Sequence, residues 1–368
     1  MRRRRWALVL SGLVLIISLP AAIAALPVSD TPVTAAALLE QVRSSGRVAY
    51  QGYAESRAGL TLPDVREVGD VLDLLGESTS MRVWYAGPSA FRVDALHPAG
   101  EKDLVVDEAG SWVWDSFEQR ATRVEGQSDV RLARPADLLP PELGRRLAAA
   151  ASAGEVTRIA PRRVAGREAP GLRITPTSSD TTIGRVDIWA ERRTGLPLAV
   201  EVTTRTGSRP VISTLFLDLE LSRPAPARLT FVPPRDADVD VTNAIDVAQE
   251  VDVFSPFILP DSLAGLPRRS EVGRGAGTFG DGFTLVAVLT LPERLVRRAR
   301  RDLDGPLTPT ISGPYGEASL VETPLMRGMI LTGPRGDGVG YAVAGTVTRA
   351  VLERVATALT ARPLATLG

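Results

Sequence analysis

Residues 171–202 constrain the fold of this chain most strongly, because they carry apolar residues at every second position on both sides of a short turn. These positions are Val186, Ile188 and Ala190 before the turn, and Leu196, Leu198, Val200 and Val202 after it. A period of two is typical of half-buried strands. The loop 191–195 is short and ends at Gly195, which suits a hairpin turn with positive φ at the glycine. The stretch therefore predicts three consecutive strands, and Pro197 is expected at an edge or non-donating position.

Strand patterns also occur on both sides of this stretch. Five of them follow one another without an intervening helical pattern, at 81–86, 91–96, 102–107, 111–115 and 121–125. Others lie at 48–52, 156–159 and 211–221. Gly, Pro and Asp residues separate the strands, as turns require. Strands in direct succession favour an antiparallel meander over a parallel sheet.

Helical patterns flank these strands. Residues 32–45 predict a helix that is capped by Thr31, has Pro32 in its first turn and carries one apolar face. Residues 135–151 predict a second helix, and a short amphipathic helix is expected within 58–79. Short helices that cover one face of such a sheet would create an apolar cleft for acyl chains or peptides.

The tryptophans are the other candidates for the wall of this cleft. Four of the five follow the N-terminal segment: Trp84, Trp112, Trp114 and Trp189. Packing in the core or on strand faces is one interpretation, and lining of an apolar concavity is the other. Trp112 and Trp114 are two residues apart and therefore share a face. The predicted ligand-binding set is Leu38, Leu39, Val42, Trp84, Trp112 and Trp114.

The N-terminus has the pattern of an export signal. Arg2–Arg5 are followed by an apolar stretch from Trp6 to Leu19 and by the small residues of 22–24, which suit a cleavage site. No charged residue occurs from Trp6 to Ser29, and a segment of this length is about long enough to span a membrane. Residues 1–28 are therefore a signal peptide or an uncleaved signal anchor. In both cases the chain after residue 30 is expected outside the cytoplasm, in the periplasm or on the outer face of the cytoplasmic membrane.

Composition excludes several classes of function. The formal net charge is zero, which argues against nucleic acid as a partner. There is no cysteine, which excludes a Cys-based metal site. His97 is the only histidine and precedes Pro98 in a turn, which argues against a Ser-His triad or a His-based metal site. Two carboxylates could pair as in a glycosidase, but the spacing of the candidates does not require it. These candidates are Asp107, Asp115, Asp187, Glu191 and Glu201. We therefore predict a non-enzymatic protein without cofactor or metal.

Several short motifs resemble the MucB/RseB family of sigma-E regulators and, more distantly, the LolA lipoprotein carriers. They are the strand–Trp–acidic turn–Thr-Gly-Leu-Pro-Leu pattern of 186–200, the Tyr50-x-Gly52 strand, the hairpin 107–115, the Phe-x-Pro-Pro of 231–234, the Leu-Pro segment 259–266 and the Gly-Asp-Gly turn 280–282. The resemblance implies an α+β fold: a LolA-like curved antiparallel half-barrel covered by helices, and a small C-terminal α+β domain. The implied domains are 29–238 and 259–368, with an acidic, irregular linker at 239–258.

The resemblance also implies a function in the cell envelope. It predicts an apolar cleft that binds a lipid, an acyl chain or an amphipathic peptide, and regulation of a membrane-bound anti-sigma factor. The alternative is an accessory interaction protein of an envelope complex such as a transporter, whose cleft is filled by its own side chains. The arginine-rich run 294–301 is either a solvated helix face or a contact for anionic lipid or an acidic partner.

Overall fold

The computed structural model describes residues 28, 30, 32–60, 78–98, 100–126, 131, 133–244, 247–254, 257–269, 273–303, 305–333, 338–361 and 365–366. Most of the predicted signal segment, and residues 61–77 of the helix expected within 58–79, lie outside these ranges. Among the helices that fall inside them, none is long and apolar enough to cross a membrane.

A twelve-stranded sheet forms the larger part of the molecule. Its strands are β1 (Tyr50–Ala58), β2 (Ser78–Gly87), β3 (Ala90–His97), β4 (Gly100–Asp107), β5 (Gly110–Asp115), β6 (Arg120–Glu125), β7 (Val156–Val164), β8 (Arg167–Ile174), β9 (Ile183–Ala190), β10 (Pro197–Thr204), β11 (Ile212–Glu220) and β12 (Asp238–Asn243). Their order is β12-β6-β5-β4-β3-β2-β1-β11-β10-β9-β8-β7. Only β12 pairs in parallel, with β6, and the other pairs are antiparallel. The predicted meander and the three strands of 171–202 are confirmed.

Two helices cover one face of this sheet, called the helix-covered face below. Helix α1 spans Ala35–Ser44, and Thr34 caps it by accepting a 3.2 Å hydrogen bond from the backbone N–H of Ala37. The predicted cap at Thr31 is therefore wrong, because the helix begins three residues later than expected. Helix α2 spans Pro140–Ala150 and packs on β10.

A strap of irregular chain crosses the opposite face of the sheet. It comprises residues 221–237 and connects β11 to β12 at the far edge. The described part of the predicted linker contains β12, which spans Asp238–Asn243, and helix α3, which spans Val247–Phe254. The expected irregular structure is therefore wrong for these residues, because β12 pairs with β6 along its length.

A second, smaller sheet lies in the C-terminal part. Its strands are β16 (Ala276–Asp281), β17 (Thr284–Pro292), β18 (Thr310–Gly313), β19 (Gly316–Glu322), β20 (Arg327–Thr332) and β21 (Val339–Gly345), in the order β16-β17-β21-β20-β19-β18. Two-residue strands accompany it: β13 (Phe257–Ile258), β14 (Ser262–Leu263), β15 (Leu266–Pro267) and β22 (Ala365–Thr366). Helix α4 (Glu293–Asp302) and helix α5 (Arg349–Thr360) pack on it. The arginine-rich run is thus helical, as predicted, and the fold class is α+β.

The two sheets meet at the connection between β8 and β9. The Thr181 hydroxyl donates to the backbone carbonyl of Phe283 at 2.9 Å, and the Thr182 hydroxyl donates to the carbonyl of Leu325. Phe283 and Leu325 are buried in the same apolar cluster as residues of α1 and β9. The seam therefore combines backbone-directed hydrogen bonds with apolar packing.

Gly195 provides a test of how α1 is seated. Its φ is +69°, and a Cβ atom at this position would lie 2.5 Å from the backbone carbonyl of Gln41 in α1. Gly166 has a φ of +73°, and a Cβ atom placed on it would have no other atom within 4 Å. We expect Gly166→Ala to lower the free energy of unfolding by about 1 kcal/mol through the left-handed backbone alone. Gly195→Ala should cost about 2–3 kcal/mol, because it adds a clash with α1.

Urea denaturation of the two variants measures the difference. Equal losses of stability would contradict the close approach between α1 and the β9–β10 turn.

Candidate functional site

The helix-covered face carries a buried apolar cluster that includes aromatic rings. Tyr50, Tyr85 and Phe216 meet on it, with ring centroids of Tyr50 4.9 Å from Tyr85 and 5.6 Å from Phe216. Burial raises the pKa of both tyrosines, so both hydroxyls stay neutral. Leu138 and Leu139, which precede α2, belong to the same buried cluster.

Helix α1 closes the other end of this face. Leu38, Leu39 and Val42 are fully or almost fully buried, as the helical spacing predicted, and they contact residues of β8, β9 and β10. The Arg43 guanidinium donates to the carbonyls of Ala148 and Ala151 at the end of α2, at 3.0 and 2.6 Å. The two helices are therefore joined into one cover.

Three hydroxyls interrupt the apolar character of the covered face. Ser56 lies opposite Thr214 on β11 and opposite Thr79 on β2, so the three side chains are neighbours across the sheet. All are buried, with 1% of Ser56 and none of Thr214 exposed. The hydroxyl oxygens of Ser56 and Thr214 have no hydrogen-bond partner among the described residues. A buried hydroxyl without a partner is costly, typically about 1–3 kcal/mol.

An open hollow of about 530 Å³ lies at the sheet end next to these hydroxyls. It is lined by Arg57, Ala58, Gly59, Ser78, Arg209, Pro210, Val211 and Ser213. Ala58 belongs to the same apolar cluster as α1, and Arg209 is exposed. Arg57 is directly opposite Ser78 and Ser213, so these lining residues point to the face opposite the three hydroxyls. The hollow therefore lies at the same end of the sheet as the hydroxyls but is not lined by them.

The tryptophans lie on the opposite face. Residues directly opposite in antiparallel strands share a face. Tyr50 is opposite Tyr85, whereas Gln51 is opposite Trp84, so Trp84 points away from the tyrosines. The same face continues through Arg92 to Trp112 and Trp114.

The strap covers these tryptophans. The Phe231 ring centroid lies 5.6 Å from that of Trp112 and 6.1 Å from that of Trp114. The Arg228 guanidinium lies 5.7 Å from the Trp84 ring centroid. The prediction that helix residues and tryptophans line one cleft is therefore wrong, because the sheet separates the two groups. Whether either group binds a ligand stays a prediction.

The carboxylates weighed as catalytic candidates have structural partners. Arg123 donates to Asp107 at 2.9 Å and holds the pKa of that carboxyl below its ordinary value. Arg173 binds Asp187 at 2.6 Å. Glu191 accepts hydrogen bonds from the backbone N–H groups of Arg193 and Thr194 and closes the hairpin loop. These contacts account for their positions without a catalytic role.

The structure also contains a pair of buried aspartates that the sequence analysis did not predict. Asp94 and Asp103 are directly opposite on β3 and β4, and each is only 3% exposed. The Arg92 guanidinium bridges them, with nitrogens 2.6 Å from Asp94 Oδ1 and 2.8 Å from Asp103 Oδ2. Burial, and then the neighbouring Asp94, raise the pKa of Asp103 to about 7. The available signal was the β3–β4 hairpin, whose turn fixes the register that pairs these aspartates.

Comparison with known proteins was made by sequence and by structure. No family model and no curated protein matches the sequence. Among solved structures, the Pseudomonas aeruginosa MucA/MucB complex is 18% identical, with 90% of this chain and 99% of that chain covered and a TM-score of 0.52. MucB in complex with MucA(peri) is 18% identical, with 90% and 100% covered and a TM-score of 0.51.

This chain has the MucB fold. The similarity extends over both sheets, since nearly the whole of each neighbour is covered. The resemblance of the short motifs to the MucB/RseB family is thus confirmed at the level of the fold, as is the curved antiparallel half-barrel followed by a small α+β unit.

The aspartate pair predicts an unusual dependence of stability on pH. Because the pKa of Asp103 is raised in the folded state, the native protein binds a proton that the unfolded chain releases at about pH 4. The free energy of unfolding should therefore fall as pH rises from about 4 to about 7, and this fall should vanish in Asp103→Asn. Urea denaturation across this range measures it.

Asp107→Asn is the matched control on the same strand. The pKa of Asp107 is lowered, so its contribution is present above the ordinary aspartate pKa and is lost as pH falls. A wild-type slope that persists in Asp103→Asn would contradict the assignment.

Proposed function

We propose that this chain is an exported, non-enzymatic binding protein of the cell envelope that regulates a membrane-bound partner in response to a hydrophobic ligand. The partner class is suggested by the fold, because the neighbours of known structure are MucB bound to MucA. By this analogy the partner is the extracytoplasmic segment of an anti-sigma factor. Fold similarity alone is an analogy, so the ligand is argued from the site.

The two buried hydroxyls on the helix-covered face carry the ligand proposal. Ser56 and Thr214 lie on the helix-covered face, and their oxygens lack partners among the described residues. A ligand with an apolar body and a polar group would satisfy them if its body entered between the helix cover and the sheet beside Ala58, which belongs to the same apolar cluster as α1. The exposed Arg209 at the same end of the sheet favours an anionic head. These features fit a fatty acid or a lipid acyl chain.

The attachment of α1 to its neighbours favours the alternative function, an accessory interaction protein whose cleft is filled by its own side chains. Arg43 ties α1 to α2, and Gly195 fits closely against Gln41. A cover held in this way behaves as core, as expected for an interaction protein without a ligand cavity. The two functions differ in whether an acyl ligand binds saturably to the folded chain.

Thr214→Val separates the two. It removes the hydroxyl while keeping a similar shape, so the loss of one hydrogen bond should weaken oleate binding by about five- to tenfold. Thermal stability should stay equal or rise, because an unpaired hydroxyl is removed. Oleate binding is measured by isothermal titration calorimetry or by native mass spectrometry.

Thr203→Val is the control, since Thr203 is equally buried on β10 but points to the other face. Absence of saturable binding to the folded wild-type protein would exclude the ligand site and leave the interaction protein.

The partner proposal has its own test. The extracytoplasmic segment of an anti-sigma factor from the same host should bind the exported chain in biolayer interferometry, and oleate should change the affinity. Since a ligand shifts a conformational equilibrium only by its differential affinity, Thr214→Val should retain partner binding and reduce the oleate effect. No binding to the segment would contradict the regulatory function even if oleate binds.

A further inference from the structure

The strap-covered face contains a cluster of three carboxylates from one hairpin. One oxygen from each of Asp94, Glu101 and Asp103 lies within 4.8 Å of the other two. The aspartates are buried, whereas the Glu101 side chain is 37% exposed and connects the cluster to solvent. The cluster is separate from the helix-covered face and its hydroxyls, because it points to the other side of the sheet.

The charges of this cluster are not balanced. Arg92 binds both aspartates, and Arg82 lies 4.0 Å from Glu101. Three carboxylates thus have two guanidinium groups within 4.0 Å of them, which leaves one negative charge in excess. Burying an uncompensated charge is unfavourable, so the folded state gains from any cation that can reach it.

One atom identifies where that cation would sit. The Oδ1 atom of Asp103 is buried and has no hydrogen-bond partner among the described residues, although Oδ2 of the same carboxylate is bound by Arg92. A carboxylate normally accepts several hydrogen bonds when it is buried. No donor among the described residues reaches this oxygen, and a cation beside Asp94 and Glu101 could supply the missing partner.

We propose that Asp94, Glu101 and Asp103 form a binding site for a divalent cation, with Ca²⁺ as the preferred ion. Carboxylate oxygens are the ligands that hard cations select, and Ca²⁺ accepts irregular geometry at distances of about 2.3–2.6 Å. Oxygens within 4.8 Å of one another are close enough to converge on one such ion after small side-chain shifts. Mg²⁺ demands a closer octahedral set. Water supplies the remaining ligands from the side of Glu101.

The sequence analysis considered histidine and cysteine as metal ligands. These carboxylates become neighbours only through the register of β3 and β4, which places Asp94 directly opposite Asp103.

Terbium luminescence tests the proposal on the exported chain. Tb³⁺ replaces Ca²⁺ at carboxylate sites and emits when a nearby indole is excited, and Trp114 is directly opposite Asp103 on β5. We expect saturable emission at about pH 8 that Ca²⁺ displaces. Trp114→Phe should reduce the emission while calorimetric Ca²⁺ binding persists. Asp103→Asn should abolish both signals, and Glu101→Gln should weaken Ca²⁺ binding by about tenfold or more.

Asp107→Asn is the control, since Asp107 lies at the end of the same strand and pairs with Arg123 outside the cluster. The thermal midpoint of each variant shows whether it is folded, and only the wild type, Trp114→Phe and Asp107→Asn should gain stability with Ca²⁺. If Asp103→Asn does not fold, the half-exposed Glu101→Gln decides. Absence of saturable emission from the folded wild type would overturn the site and leave a shared proton. Equal binding by Glu101→Gln would also overturn it.

Discussion

Burial of one face of the twelve-stranded sheet by α1 and α2 is the interaction on which the rest of the structure depends. At about 25 cal/mol per Å² of apolar surface, a cover of this kind contributes a large share of the hydrophobic stabilisation of the unit. Leu38, Leu39 and Val42 supply the contact from α1, and the positive φ of Gly195 lets the β9–β10 turn approach the helix backbone. The opposite face then remains for the strap.

The two faces of the sheet consequently differ in chemistry. The covered face is mainly apolar, with Ser56, Thr79 and Thr214 buried among its apolar side chains, which suits contact with hydrophobic molecules. The strap-covered face combines tryptophans with Arg92 and buried carboxylates, which suits ions. The two proposed sites therefore share no residues, and a ligand at one of them would not compete with a ligand at the other.

Much of the fold follows from sequence periodicity, and the failures have a common cause. A period of two shows that Trp112 and Trp114 share a face, and this is correct. The period does not show to which face of the sheet these side chains point, because the face depends on pairing with strands far along the chain. Trp84 and Tyr85, for example, are adjacent in the sequence but point to opposite faces. A shift of one residue inverts every such assignment. The buried side of α1 could therefore be predicted from the sequence, whereas the face to which each tryptophan points could not.

The aspartate pair shows the same limit in a polar setting. Asp94 and Asp103 are nine positions apart, and no spacing rule for helices or for metal motifs relates them. Their contact arises from the register of a hairpin, which places them directly opposite. Thr34 is a milder case, since Thr31 and Thr34 both offer a hydroxyl for capping in the sequence and the cap of α1 is Thr34.

The seam between the sheets has a mechanical consequence. Thr181 and Thr182 belong to the connection of β8 and β9, so the smaller unit is fastened to the same strands that seat α1. Phe283 extends the apolar cluster beneath that helix. A second attachment runs through β12, which pairs with β6, and through α3, which follows β12 and packs on β16 and β17. A displacement of the C-terminal unit would therefore act on the large sheet at two separate places, the strands that seat α1 and the strand that ends the strap.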